Sequence, residues 1–147
     1  MNEVALQRVI DESELRNLIQ ELLRALDDRD FDALGPLYTE DGVREVGGRV
    51  YRGREEIVAG PKKFLAAAYE ATFHHLGQVY VDVDGDEASI VAYILAFHLP
   101  KAAEPARHED GGGKYHATAR RTENGWRLTH VRLEMVLFQG EPMTLKV

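Results

Sequence analysis

Glu87-Ala-Ser-Ile-Val-Ala-Tyr-Ile-Leu-Ala-Phe-His-Leu99 is the stretch that decides the fold. It alternates along its whole length, so it reads as one long β-strand with two distinct faces. One face carries Ala88, Ile90, Ala92, Ile94, Ala96 and then His98; the other carries Ser89, Val91, Tyr93, Leu95, Phe97 and Leu99. Alternating alanines fill little volume. Such a face either lets helices approach closely or leaves room for a ligand, and His98 at its end favours a hollow with one polar wall.

Upstream of this strand the period stays at two. Val79, Val81 and Val83 alternate with Gln78, Tyr80 and Asp82, and Asp84-Gly85-Asp86 supplies a hairpin turn. Downstream, Pro100 opens a polar segment expected to loop through Gly111-Gly112-Gly113. A second hairpin, Tyr115 to Thr122 and Trp126 to Phe138, turns at Glu123-Asn124-Gly125.

The first half of the chain has helical spacing instead. Leu15, Leu18, Ile19, Leu22, Leu23 and Leu26 form one apolar stripe, predicting a helix from about Asp11 to Asp28 with Asp11 or Ser13 as its cap. A short second helix is expected over Phe31 to Tyr38, capped by Asp30 and shortened by Gly35-Pro36. Val43 to Tyr51 reads as a small hairpin around Gly47-Gly48, and Pro61 suits the first turn of a third helix reaching Tyr69. Three helices followed by a long-stranded antiparallel sheet make an α+β domain, the helices on one sheet face.

Asp27 is the residue that points to chemistry. It lies four residues after Leu23 and eight after Ile19, so it continues the buried stripe. An inward carboxylate is costly unless it is hydrogen-bonded, and His74, at the opening of a strand, is a partner for it. An Asp that holds a His in one tautomer makes a general base. The neighbouring His75 competes for that place, because simple alternation would turn it towards Val79, Val81 and Val83. A bulge at Gly77 would reset the parity in favour of His74.

Composition excludes several classes. The 147 residues carry a net charge of −7, which disfavours nucleic acid and anionic membranes as partners. The sequence has no cysteine, so disulfides and thiolate metal sites are excluded. The N-terminal MNEVALQRVIDESEL is charged and reads as neither signal peptide nor membrane span, which predicts a cytoplasmic protein. No two of the six histidines are spaced i, i+2 or i, i+4, so no metal site is expected. There is no phosphate-binding glycine loop, and no organic cofactor is expected either.

Five segments in order resemble the SnoaL-like proteins of the nuclear-transport-factor-2-like superfamily. They are Arg24-Ala-Leu-Asp-Asp-Arg-Asp-Phe-Asp-Ala-Leu34, Tyr38-Thr-Glu-Asp-Gly-Val43, Tyr51-Arg-Gly-Arg-Glu-Glu-Ile57, Thr72-Phe-His-His-Leu-Gly77 and Arg121-Thr-Glu-Asn-Gly-Trp-Arg-Leu128. The resemblance spans nearly the whole chain and implies a cone-shaped α+β barrel over residues 1–147. It also implies a small-molecule pocket and a homodimer or homotrimer. Within the superfamily the chain is most similar to scytalone dehydratase and hexachlorocyclohexane dehydrochlorinase, which use an Asp–His pair at the positions of Asp27 and His74. His98 matches a second pocket histidine of scytalone dehydratase. Leu26 and Val46 replace two tyrosines of that enzyme, and Val131 falls near an arginine of the dehydrochlorinase.

The resemblance thus implies a cofactor-independent dehydratase-like lyase or an isomerase acting on a small, mostly apolar, oxygenated or aromatic substrate. Its catalytic residues would be Asp27, His74 and His98. Tyr38, Tyr51, His116 and Arg132 are candidate substrate contacts, with Arg132–Glu134 also readable as an ion pair. A non-catalytic ligand-binding or dimerisation module of the same fold is the competing expectation.

Overall fold

The computed structural model describes residues 2–145, and all counts and absences below refer to them. The order is α1 (Glu3–Asp27), a 3-10 helix (Phe31–Leu37), β1 (Tyr38–Val46), β2 (Arg49–Arg52), α2 (Gly53–Lys63), α3 (Leu65–Ala68), β3 (Ala71–Asp84), β4 (Glu87–Leu99), β5 (Glu109–Thr122) and β6 (Gly125–Gly140). The strands form one curved, unclosed sheet in the order β2-β1-β6-β5-β4-β3. The helices cover its inner face. Four of the five pairings are antiparallel; β1 and β6 run parallel, so the sheet is mixed.

The apolar stripe of α1 builds the core. Leu15, Ile19, Leu22 and Leu26 are fully buried against Ile90, Ala92, Trp126 and Leu128. Each large aliphatic side chain contributes roughly 1.5–3 kcal/mol when removed from water, far more than differences in helix propensity. Packing therefore fixes this helix.

Asp11 is not its cap. The helix begins eight residues earlier, with the Asn2 side chain accepting from the Ala5 N–H. Asp11 instead lies on the buried stripe and takes a two-pronged ion pair from Arg121, at 2.7 and 2.9 Å, plus the Trp126 indole N–H at 3.0 Å. The added turns expose Val4, Leu6, Val9 and Ile10, which is why the amphipathic pattern fades there.

Two further boundaries move. Pro61 lies inside α2 and does not open a new helix. The glycines expected in a loop, Gly111 to Gly113, are inside β5 and pair with Ala96, Leu95 and Ile94. No helix is long and apolar enough to cross a membrane.

The β3–β4 register decides which histidine turns inward. Leu76 pairs with Ile94 but Val79 with Ala92, so β3 carries one extra residue at Gly77-Gln78. That bulge switches the inward set from Thr72, His74 and Leu76 to Val79, Val81 and Val83. His75 faces outward.

Candidate functional site

Between the helices and the concave sheet lies a hollow of about 90 Å³, partly open to solvent. Leu26, Val46, Phe64, Leu65, Ile94, Ala96, Leu133, Met135, Met143 and Leu145 give it a mostly apolar wall. Its polar groups are His74, His98, Tyr51, Tyr115, Arg44 and Arg49. The alanines of β4 and the glycines of β5 are what keep it open: a Cβ on Gly111 would collide with the Met135 side chain, and one on Gly113 with the Glu134 carbonyl.

At the β3–β4 end, the Asp27 carboxylate receives three donors. The His74 ring Nδ1 lies 2.6 Å from Oδ1, the His74 backbone N–H donates to Oδ2 at 2.9 Å, and the Thr72 hydroxyl donates to Oδ1 at 2.9 Å. Burial alone would raise the Asp27 pKa, but these bonds outweigh it and hold the carboxyl below its usual range. An ionised carboxylate only accepts, so Nδ1 of His74 carries a proton, and in the neutral ring Nε2 is the remaining acceptor. The His74 side chain is 7% exposed.

His98 stands beside it, the two rings meeting edge to face with centroids 5.7 Å apart. Its Nδ1 lies 2.9 Å from the Glu109 carbonyl oxygen. A carbonyl accepts only, so this nitrogen too is the protonated one. Burial, helped by the neighbouring His74, pushes the His98 pKa down, so the ring is neutral with a bare Nε2. The Glu109 side chain then extends the network: Tyr69 donates to it at 2.5 Å, and the Thr144 N–H and hydroxyl donate at 2.8 and 2.6 Å. The hydrogen bonds of Thr144, with that of the Leu145 N–H to the Tyr69 oxygen, seat Met143 and Leu145 over the hollow.

The comparisons agree with this architecture. The SnoaL-like domain matches residues 7–132. The chain belongs to the SnoaL-like family. Among solved structures, this SnoaL-like chain is similar to hexachlorocyclohexane dehydrochlorinase LinA-type3 from Novosphingobium barchaimii LL02, at 16% identity and a TM-score of 0.83 over 97% of this chain and 98% of that one. A Novosphingobium aromaticivorans protein provisionally named scytalone dehydratase matches at 18% identity and 0.78, covering 95% and 93%. An NTF2-like protein of cystatin-like fold, also from N. aromaticivorans, matches at 26% and 0.76, covering 90% and 86%. No curated protein matches the chain.

The hollow of this SnoaL-like chain is lined by His74, His98 and Tyr51, with Asp27 bonded behind His74, but not by the other expected contacts. Tyr38 is wholly buried in the core beside the hollow without lining it, and its hydroxyl has no partner. His116 and Arg132 are register partners on the outer sheet face, since Tyr115, Ala117, Val131 and Leu133 take the inward positions. There His116, not Arg132, pairs with Glu134, at 2.7 Å.

Sequence reasoning missed Thr72, Glu109, Tyr69 and Arg44. Thr72 shares strand parity with His74 and was findable on that ground. Arg44 was hidden because the β1 register shifts between Tyr38 and Val43, which breaks simple alternation. No three His, Asp or Glu side chains converge in a metal-holding group.

Proposed function

We propose that this SnoaL-like protein is a cofactor-independent lyase of dehydratase type, or an isomerase, in which Asp27 and His74 form the general base. The observation that supports the reading is the 2.6 Å contact between Asp27 and Nδ1 of His74, which in the neutral ring reserves Nε2 as the acceptor beside a mostly apolar hollow. Nε2 takes a proton from a carbon made acidic by a neighbouring carbonyl or ring. The resulting imidazolium is stabilised by the Asp27 carboxylate, a contact strengthened by the scarcity of water.

The second histidine then plays a defined part. Its one N–H is committed to Glu109, so neutral His98 has no proton to give a leaving group. Its Nε2 accepts a hydrogen bond from a substrate hydroxyl and orients it. His74 itself returns the proton. When the adjacent C–O bond breaks, the C–H electron pair forms the new double bond, and the hydroxyl leaves with that proton as water. With no leaving group, the proton returns to a different carbon and the product is an isomer. The lyases among the similar structures support this class by analogy of fold.

The test is proton transfer itself. Small cyclic ketones and hydroxyketones in D₂O, followed by NMR, should exchange an activated proton or lose water in the presence of the wild type. Asp27→Asn and His74→Gln should each reduce that rate by about 10²–10⁴-fold while circular dichroism stays unchanged. Binding without exchange, equal in all three proteins, would establish a ligand-binding module instead.

The same reading includes a homodimer or homotrimer joined through the outer sheet face, where Phe73, Tyr80, Val136 and Leu137 are exposed. Sedimentation velocity on wild type and a Phe73→Ser/Tyr80→Ser variant tests it; a monomeric wild type would end that part of the proposal.

A further inference from the structure

Arg44 lies on β1, at the end of the hollow opposite the histidines. Its residue is 5% exposed, yet Nε and Nη1 of the guanidinium find no hydrogen-bond partner among the described residues. Buried guanidinium groups are ordinarily paired, because withdrawing the charge from water costs several kcal/mol unless something replaces the hydration. Nothing nearby supplies that charge. The residues lining the hollow include two arginines and two histidines but no aspartate or glutamate, in a chain whose net charge is −7. Asp27 stands behind His74, already saturated by its three donors.

The surroundings of Arg44 confirm that it is a pole and not a strut. Its register neighbours are Val131 on β6, fully buried and unable to bond it, and Tyr51 on β2. Tyr51 lies against Gly60 of α2, where a Cβ would collide with the tyrosine ring. Burial pushes the phenols of Tyr38 and Tyr51 up despite the nearby Arg44 charge, so both remain protonated and neither serves as counter-ion. Arg49 is differently placed: it stacks 4.2 Å from the Phe64 ring centroid and is partly exposed.

Sheet order and register separate the two ends. Strand β1 is separated from β4 by β6 and β5. Arg44 stands level with Val131, Ala117 and Ile90, eight residues along β4 from His98, so the two poles are offset both across and along the curved sheet while lining the same hollow.

We propose that the hollow takes a small organic anion, its carboxylate held by Arg44 and its reacting carbon at the far end beside His74. This rests on the base reading above and narrows its substrate class. A carboxylate supplies what the guanidinium lacks, a planar acceptor with two oxygens that can bond two N–H groups at once. It also fixes which end of an otherwise apolar guest faces the histidines, which raises the effective concentration of the acidic C–H at Nε2.

The experiment is calorimetric titration of the protein with benzoate and trans-cinnamate against their uncharged isosteres, benzamide and cinnamamide. Wild type should bind the carboxylates at least tenfold tighter than the amides. Arg44→Met should reduce that preference to about twofold or less, Arg44→Lys should keep part of it, and Arg49→Gln should leave it intact. Asp27→Asn should also retain it, since that variant removes the base and not the anion site. A carboxylate preference that survives Arg44→Met, or a wild type that binds the amides as well as the acids or binds neither acid at millimolar concentration, overturns the proposal. Should Arg44→Met not fold, Arg44→Lys and the wild-type ratios decide it. Loss of proton exchange in Asp27→Asn with this preference unchanged would separate the two claims.

Discussion

Asp11 and Asp27 lie about 24 Å of helix apart on α1, the first buried and the second half-buried, and each ties its part of that helix to the sheet. Asp11 is bonded by Arg121 and Trp126 at the β5–β6 hairpin, and Asp27 by Thr72 and His74 on β3. The two carboxylates differ in what lies beyond the partner. Past Arg121 and Trp126 there is only core and surface; past His74 there is the hollow. The same device borders only the fold at one end and the hollow at the other.

Asp11→Ala should therefore lower stability without touching proton transfer. It strands the buried Trp126 indole N–H and releases Arg121, whose side chain is a third exposed and easily hydrated. A loss of about 1–3 kcal/mol is expected, or roughly 2–4 °C in Tm per kcal/mol for a chain of this size. Urea unfolding and an activity assay on the same sample check both halves.

Asp27→Asn should do the reverse. The amide oxygen can still accept from the His74 backbone N–H, but the NH2 then replaces the oxygen that faced Thr72 and the ring, where it donates and no longer enforces Nδ1–H. Exchange or elimination should fall about 10²–10⁴-fold, with the ring tautomer read directly from ¹⁵N chemical shifts.

Stability should depend on pH through His98. Its folded pKa lies below the ordinary value of 6.5 because of burial and the neighbouring His74. Below about pH 6.5 the unfolded chain takes up a proton that the folded chain refuses, so this residue costs stability as pH falls and costs none above that range. Asp27, held below 3.8, acts in a lower window: its contribution is present above that value and lost as pH falls through its folded pKa. Comparing wild type with His98→Gln by thermal unfolding between pH 7.5 and 5 should show wild type losing ground at the acid end.

Arg44→Met should leave ligand-free stability unchanged or raise it, because it replaces an unpaired buried charge with an apolar chain of similar length. Differential scanning calorimetry reads this without any substrate. A pronounced fall in Tm would mean that the guanidinium supports the fold.

How much of this could be read from residues alone depended on whether periodicity survived locally. The alanine face of β4 and the Asp27 stripe were legible because both elements are regular over many residues. His74 over His75 required a bulge at Gly77, and the glycine was the visible sign of it. Asp11 was misread because an aspartate near the start of an apolar pattern is usually a cap, and its partner is more than a hundred residues away. The glycines of β5 read as loop because their reason for being glycine, a close approach by Met135 and the Glu134 backbone, is tertiary. His116 and Arg132 looked like site residues by type but stand at outward parity.

The parallel pairing of β1 with β6 dictates the order in which the cleft becomes complete during synthesis. By the time β4 leaves the ribosome, every side chain of the Asp–His pair has been made, yet the strand bearing the guanidinium has only its short neighbour β2 for company. It gains a place in the sheet when the final hairpin arrives beside it. The guanidinium end of the hollow is therefore the last to be enclosed.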